Sequence, residues 1–301
     1  MECELHLMFN HVSLLTDYGT DDEFVGVMKS VMFDMAPHVH VTDITHGIPP
    51  FDVRAGALAL ARSIQYVPAG IVIAVVDPGV GSTRHAIAVE VAQGRGVILG
   101  PDNGLLASAV ATAGGADRVF ALTNTELHLS APGVTFAGRD MFAPVAAYLC
   151  NGGALEDVGE ELDPALIMPG VIPLATPASH EKFGEGVKCE VIWIDRFGNC
   201  QLNIGPDEIE HCGSQLRVVI GDDVRSAHLE THYAAITNGA IGAVTDSYGM
   251  VSLCMNQDSA ATQLRLGVTD SVEIYAGNAV QIDASQTVET NVSLRPKTSS
   301  Q

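Results

Sequence analysis

The chain has 301 residues, 47% hydrophobic and 17% charged, which excludes a disordered protein and suits one large domain or two medium ones. Asp and Glu total 36 against 15 Lys and Arg, a formal charge of −21 that would repel a phosphate backbone and argues against a nucleic-acid partner. No apolar run reaches the roughly 18 residues that span a bilayer, and Glu2 and Glu4 stand where a signal peptide needs basic residues, so no membrane association is expected.

In chain order, "HVSLLT" (11–16) reads as a strand ending in Thr16-Asp17. Thr20 followed by Glu23 three residues later has the form of a capping box, so the spacing predicts a helix opening there, with Phe24, Val27, Met28 and Val31 on one face. "HVTDIT" (40–45) reads as the next strand and "DVRAGALALARSI" (52–64) as the next helix. "GIVIAVVD" (70–77) is a continuous β-branched run, the signature of a strand buried on both faces. Strand-like "AIAVEV" (86–91) and "GVILG" (96–100) follow, then a helix over "GLLASAVATAG" and another over "RDMFAPVAAYLCNG" (139–152), where Phe142, Val145, Ala146 and Leu149 fall at helical spacing. This alternation predicts an α/β domain over 1–170, a largely parallel sheet flanked by helices.

Proline and glycine thicken across 168–187, and we read 171–183 as a linker. Beyond it, "KCEVIWIDRFGNCQLNI", "SQLRVVIG", "GAIGAVTDSYGMVSLCMN" and "DSVEIYAG" are short strands with Gly or Asn turns. They predict a smaller C-terminal all-β domain over 184–285, barrel-like, followed by a disordered tail at 286–301. Six scattered cysteines without a CxxC pair read as reduced, buried thiols, which places the protein in the cytoplasm.

Ligands of open α/β folds bind at the carboxyl ends of strands, and Asp17 and Asp77 stand at two such ends. Asp43, inside "HVTDIT", is less telling. After Asp77 the glycine-rich "PGVGSTR" delivers Arg84 across a tight turn, and an Arg there orients the carboxylate and favours its charged form. Spacing alone does not separate that role from a salt bridge that only pins the loop. "PGVGSTR" matches neither GxxxxGK[ST] nor GxGxxG, and GxSxG is missing, so neither a phosphate loop nor a hydrolase elbow is indicated. With no HExxH and no tight Cys/His cluster, His38, His40 and His46 read as surface or loop residues and no metal is expected. Asn103 in "GPDNGLL" and the "IDRFGN" segment (194–199) read first as turn residues, with ligand contacts the alternative.

Six segments together carry a resemblance: "LLTDYGTDDEFVG" (14–26), "DITHGIPPFDVRAGA" (43–57), "VVDPGVGSTR" (75–84), "GPDNGLL" (100–106), "TFAGRDMFAPVAA" (135–147) and "IDRFGN" (194–199). In this order they resemble the S-adenosyl-L-methionine (SAM) hydroxide adenosyltransferases, relatives of the SAM-dependent fluorinase and chlorinase. The resemblance implies an α/β domain, a β-barrel-like domain and a homotrimer with sites at subunit interfaces. It implies that activated water attacks C5′ of SAM, leaving adenosine and methionine, with SAM as substrate and no cofactor. Asp77 would then be the carboxylate that takes the proton and Arg84 its partner. Asp17 would hold the ribose hydroxyls, with Phe51 and Phe136 lining the nucleoside pocket alongside Thr135 and Asn103. Asp195 would accept the methionine ammonium, Phe197 and Asn199 would contact adenine, and Ser247 and Tyr248 match the segment that binds the methionine carboxylate.

Two departures refine the expectation. The halogenating relatives lack an acidic residue at the position of Asp77, and a carboxylate there repels halide and favours water. Hydroxide-transferring members read "TFHGRD", with the histidine joining the Asp and Arg as a triad, where this chain has Ala137. The expectation is therefore a SAM hydrolase slowed by some part of the about 10²–10⁴-fold that an acid–base group contributes. The alternative is a SAM- or adenosine-binding protein with little turnover.

Overall fold

The computed structural model describes residues 9–171 and 173–277. The chain divides into two units, Met1–Pro173 and Leu174–Gln301. Cys3, the end of the expected β domain and the tail expected at 286–301 lie outside the described residues.

Unit 1 runs β1 (His11–Thr16), α1 (Phe24–Met35), β2 (His40–Thr45), α2 (Val53–Ser63), β3 (Ile71–Val75), β4 (Ala86–Val91), β5 (Gly96–Pro101), α3 (Ala107–Thr112), β6 (Ala116–Ala121), α4 (Ala143–Cys150) and β7 (Glu160–Leu162). The strands form one sheet in the order β2-β1-β3-β5-β4-β6-β7. Pairing is parallel from β2 through β1 and β3 to β5, as expected, and antiparallel from β5 to β7, which makes the sheet mixed. The reason lies between β4 and β5. Residues 92–95 are too few for a crossover, and Ala92 (φ 56°) and Gln93 (φ 60°) take the left-handed conformations of a tight hairpin turn.

Every residue of β3 is buried. On one face Val12, Leu14, Ile71 and Ile73 pack with Met28 and Met32 of α1 and Val145 and Leu149 of α4 in one core. On the other, α2 comes so close that a Cβ on Gly56 would lie 2.8 Å from Leu105 Cδ1 and 2.9 Å from Val76 Cγ2. Helix α2 opens as its sequence suggests, with Asp52 Oδ1 accepting the Ala55 amide at 2.9 Å. The capping box expected at Thr20 and Glu23 does not form. The first helical bond runs from Val27 N to Glu23 O (2.9 Å), which makes Glu23 itself the cap residue and leaves Thr20 outside the helix.

Unit 2 contains β8 (Thr176–His180), β9 (Gly184–Ile194), β10 (Cys200–Leu202), β11 (Gln215–Ile220), β12 (Asp223–Glu230), β13 (Ile241–Thr245), β14 (Val251–Cys254), a short helix α5 (Ala260–Leu264) and β15 (Ser271–Ala276). The order β10-β14-β13-β12-β11-β15-β9 closes on itself because the long β9 pairs with β15 through its first half and with β10 through its second. The result is a seven-strand barrel around Val191, Leu202, Leu216, Val218, Leu253 and Ile274. Strand β8 adds to the outside of this ring on β9. It occupies 176–180, inside the segment read as linker. Its proline, Pro177, sits on an edge strand, where a missing donor costs least.

Candidate active site

Adjacent parallel strands β1, β3 and β5 end in Asp17, Asp77 and Asn103, so the topology gathers these side chains at one edge of the sheet. The β1–β3 register sets Thr16 opposite Val75, and the Asp17 amide still bonds Val75 O at 3.3 Å beyond the strand. Arg84 Nε donates to Asp77 Oδ1 at 2.7 Å, and Arg84 Nη2 donates to Asp77 Oδ2. This two-point contact fixes the plane of the carboxylate, whose side chain is 5% exposed against 16% for Arg84. Asn103 Nδ2 donates to Val76 O at 2.9 Å, and its Oδ1 accepts the Leu105 amide, which ties the β5 end to the residue before Asp77.

Asp17 Oδ2 accepts the Phe51 amide at 2.9 Å. Phe51 is held at φ 69°, an uncommon conformation for an aromatic residue, and its ring is 72% exposed. The loop after Asp77 packs on the segment before α4, since a Cβ on Gly81 would lie 3.1 Å from Val134 Cγ2. Phe136 sits edge-on to Tyr18 (5.8 Å between centroids) and to Phe24 (5.0 Å). Its neighbour Thr135 is exposed, and Ala137 is half-buried against the core.

The entry to α4 is a single π-helical turn, Gly138–Phe142. Pro144 has no N–H to give the Asp140 carbonyl, which instead accepts the Leu129 amide at 2.8 Å, while Ala143 N reaches back to Gly138 O. Arg139 and Asp140 pair with each other at 2.5 Å, and the guanidinium lies 5.0 Å from the Phe136 centroid. As read from sequence, they belong to the helix entry.

Two residues escaped the sequence reading. His46, taken there for a surface or loop residue, is buried: its Nδ1 meets Thr16 Oγ1 at 2.8 Å and its Nε2 lies 3.0 Å from Asp43 Oδ1. Thr16 Oγ1 also accepts the Tyr18 amide (3.1 Å), and Gly19 N donates to His46 O (2.8 Å), so His46 holds the turn that carries Asp17. Asp43 in turn takes Lys29 Nζ at 2.7 Å. Burial pushes its carboxyl up, but the bonds from Lys29 and His46 outweigh this and hold it below its ordinary value. The second residue is Tyr18, whose phenol is pushed up by burial and by the carboxylates of Asp17 and Asp77 and so stays a neutral donor. The only sequence signal for either residue was proximity to the strand ends.

In unit 2 the β9–β10 turn is built on Asp195. Its Oδ1 accepts the amides of Phe197 and Asn199, both at 2.9 Å, and its Oδ2 accepts Asn199 Nδ2 at 2.7 Å. The turn reading of "IDRFGN" therefore holds, and it leaves the Phe197 ring 77% exposed. Phe197 and Asn199 line a cavity of about 590 Å³ with Tyr233, Met255, Gln257 and Ser259. Asp246 repeats the device, its Oδ1 accepting the amides of Tyr248 (2.8 Å) and Met250 (3.1 Å). The register of β10 with β14 sets Cys200 opposite Leu253 and Gln201 opposite Ser252. Ser247 and Tyr248 thus precede the far end of this pair and do not line the Phe197 cavity. Among the described residues no group of three or more His, Cys, Asp or Glu is placed to hold a metal ion.

Fold and site define an α/β protein with a strand-end carboxylate site, followed by a closed β-barrel unit with an aromatic-lined cavity. Residues 12–159 match the SAM hydroxide adenosyltransferase N-terminal domain and residues 189–273 match the C-terminal domain. The chain belongs to this family. It is 40% identical over 266 residues to an (R)-S-adenosyl-L-methionine hydrolase of Salinispora arenicola, covering 88% of this chain and 98% of the relative. A fluorinase of Actinopolyspora mzabensis is 28% identical over 293 residues, covering 87% and 96%. The crystal structure of an uncharacterized conserved protein from Thermotoga maritima is similar with a TM-score of 0.77 at 31% identity, over 88% of this chain and 99% of that one.

Proposed function

We propose that this chain hydrolyses S-adenosyl-L-methionine to adenosine and L-methionine. The observation that carries the reading is the two-point Asp77–Arg84 pair at the end of β3, beside the Asp17 carboxylate at the end of β1. A water oxygen bonds to C5′ as the C5′–S bond breaks, its electron pair leaves on sulfur as neutral methionine, and Asp77 takes the water proton. The sulfonium is already a good leaving group, so the reaction as proposed needs no metal and no cofactor. The protein's part is a dry, aligned site and a proton acceptor.

Within this reading Asp17 accepts from the ribose hydroxyls, and Phe51, Phe136, Thr135 and Asn103 surround the nucleoside. Phe197 and Asn199 contact adenine in their cavity, Asp195 takes the methionine ammonium, and Ser247 and Tyr248 take its carboxylate. Asp195 is already occupied by its own turn, yet a carboxylate has about four lone-pair sites and three are used. The active form is a homotrimer with sites at subunit interfaces. The placement is cytoplasmic, a reading supported by five buried free thiols at Cys150, Cys189, Cys200, Cys212 and Cys254.

No helix among the described residues is long and apolar enough to cross a membrane. The preference for hydroxide over halide rests on Asp77, whose negative charge disfavours an approaching halide, and the higher identity to a hydrolase than to a fluorinase points the same way. Incubation with SAM in chloride buffer tests the proposal: adenosine and methionine are expected in equal amounts. A 5′-halogenated adenosine in place of adenosine would refute it. Calorimetric binding of SAM with no product over hours would instead establish the binding protein.

A further inference from the structure

The phenol of Tyr18 is a half-buried polar group that the reaction as described leaves unused. The β1–β3 register sets Thr16 opposite Val75, and Tyr18 and Asp77, two residues further along their chain segments, lie just past the same pair of strand ends. Its ring is fixed by Phe24 (5.5 Å between centroids) and Phe136 (5.8 Å), and its amide is held by Thr16 Oγ1. The backbone at the π-helical turn comes up against its hydroxyl. A Cβ on Gly138 would lie 2.8 Å from Tyr18 Oη. Only glycine permits that approach, and the preceding Ala137 adds no polar atom of its own.

We propose that the Tyr18 hydroxyl positions the attacking water at the Asp77–Arg84 pair. With the Gly138 backbone packed behind it, the hydroxyl has its hydrogen to donate toward the carboxylate side of the site. A water molecule that gives one proton to Asp77 and accepts the Tyr18 hydrogen has one lone pair left, directed at C5′. Burial and the Asp17 and Asp77 charges push the phenol up, which keeps that hydrogen in place at neutral pH. The role is positional: Tyr18 neither bonds to carbon nor takes the proton.

The inference rests on the hydrolytic reading, and Tyr18→Phe tests the two separately. Phenylalanine keeps the ring between Phe24 and Phe136 and removes only the hydroxyl. The expected result is a kcat at least tenfold lower, with KM for SAM within threefold of the parent and an unchanged melting temperature. A structural role would move KM or the melting temperature and not kcat alone. A kcat within twofold of an active parent overturns the inference and leaves the hydrolytic reading standing. A parent that releases no adenosine from SAM overturns both.

Discussion

Both units present aspartates at turns, and the two sets are held in opposite ways. In unit 1, Asp77 is gripped by a guanidinium seven residues away, and Asp17 by an amide 34 residues away. In unit 2, Asp195 is satisfied within its own turn by groups two and four residues further on, and Asp246 takes the matching two amides on Oδ1 while its Oδ2 accepts Gln201 Nε2 and Ser252 Oγ. The first arrangement sets a carboxylate just past the end of a parallel strand and fixes it by a partner from elsewhere in the chain. The second spends the carboxylate on the turn and leaves exposed the residue two positions on, Phe197 or Tyr248. Under the proposed function, equal residue types then do different work: in unit 1 the acid acts, and in unit 2 it builds the turn.

The largest expected effect tests the acting set. Asp77→Asn keeps the shape and removes the proton acceptor, and adenosine release should fall about 10²–10⁴-fold with little change in melting temperature. Comparable turnover would reduce the pair to a loop-pinning salt bridge. Next comes Ala137→His, at the half-buried position leading into the π-helical turn. It should raise turnover at least tenfold, and an unchanged rate would show that Tyr18, Asp77 and Arg84 suffice.

Asp195→Ala tests the second set through stability. Three donors of its turn lose their acceptor, so denaturation should report a loss of about 1–3 kcal/mol. A smaller effect is expected at Asp43. Its lowered folded-state pKa means that its stabilisation is present above the ordinary carboxylate pKa and is lost as pH falls through the folded value. Because the Lys29–Asp43 pair is 36% and 41% exposed, solvent screening limits the stability lost in Asp43→Asn at pH 7 to less than about 1 kcal/mol, by urea titration. Smallest of all is the thiol response. Burial pushes Cys150, Cys189, Cys200 and Cys254 up to about 12, so an aromatic disulfide reagent at pH 8 should not label them until the protein is unfolded.

Much of the fold could be read directly. The β-branched run at 70–77 became the fully buried β3, Asp52 capped α2, and Phe142, Val145, Ala146 and Leu149 turned inward from the helix entry and α4. These features rest on periodicity and on side chains that bond their own neighbours, which are local physics. The misses have other causes. Glu23 replaced Thr20 at the start of α1, β8 formed in a proline-rich segment, and the sheet turned antiparallel at β4. Two of the three are hairpins: β4 turns back into β5 through residues 92–95 and β8 into β9 through residues 181–183, short turns that composition and periodicity did not reveal.

The site divides along the same line. By itself the sequence placed Asp17 and Asp77 at strand ends and set Arg84 across a glycine turn from Asp77, while the family resemblance marked Ala137 as the position without an imidazole. Only the tertiary structure buried His46 beneath the Asp17 turn and brought the Gly138 backbone against Tyr18, 120 positions earlier in the chain. Spacing along a chain can specify what a residue does to its own turn. Contact between residues so far apart depends on how a sheet and its covering helices pack, and that is settled only when the whole core closes.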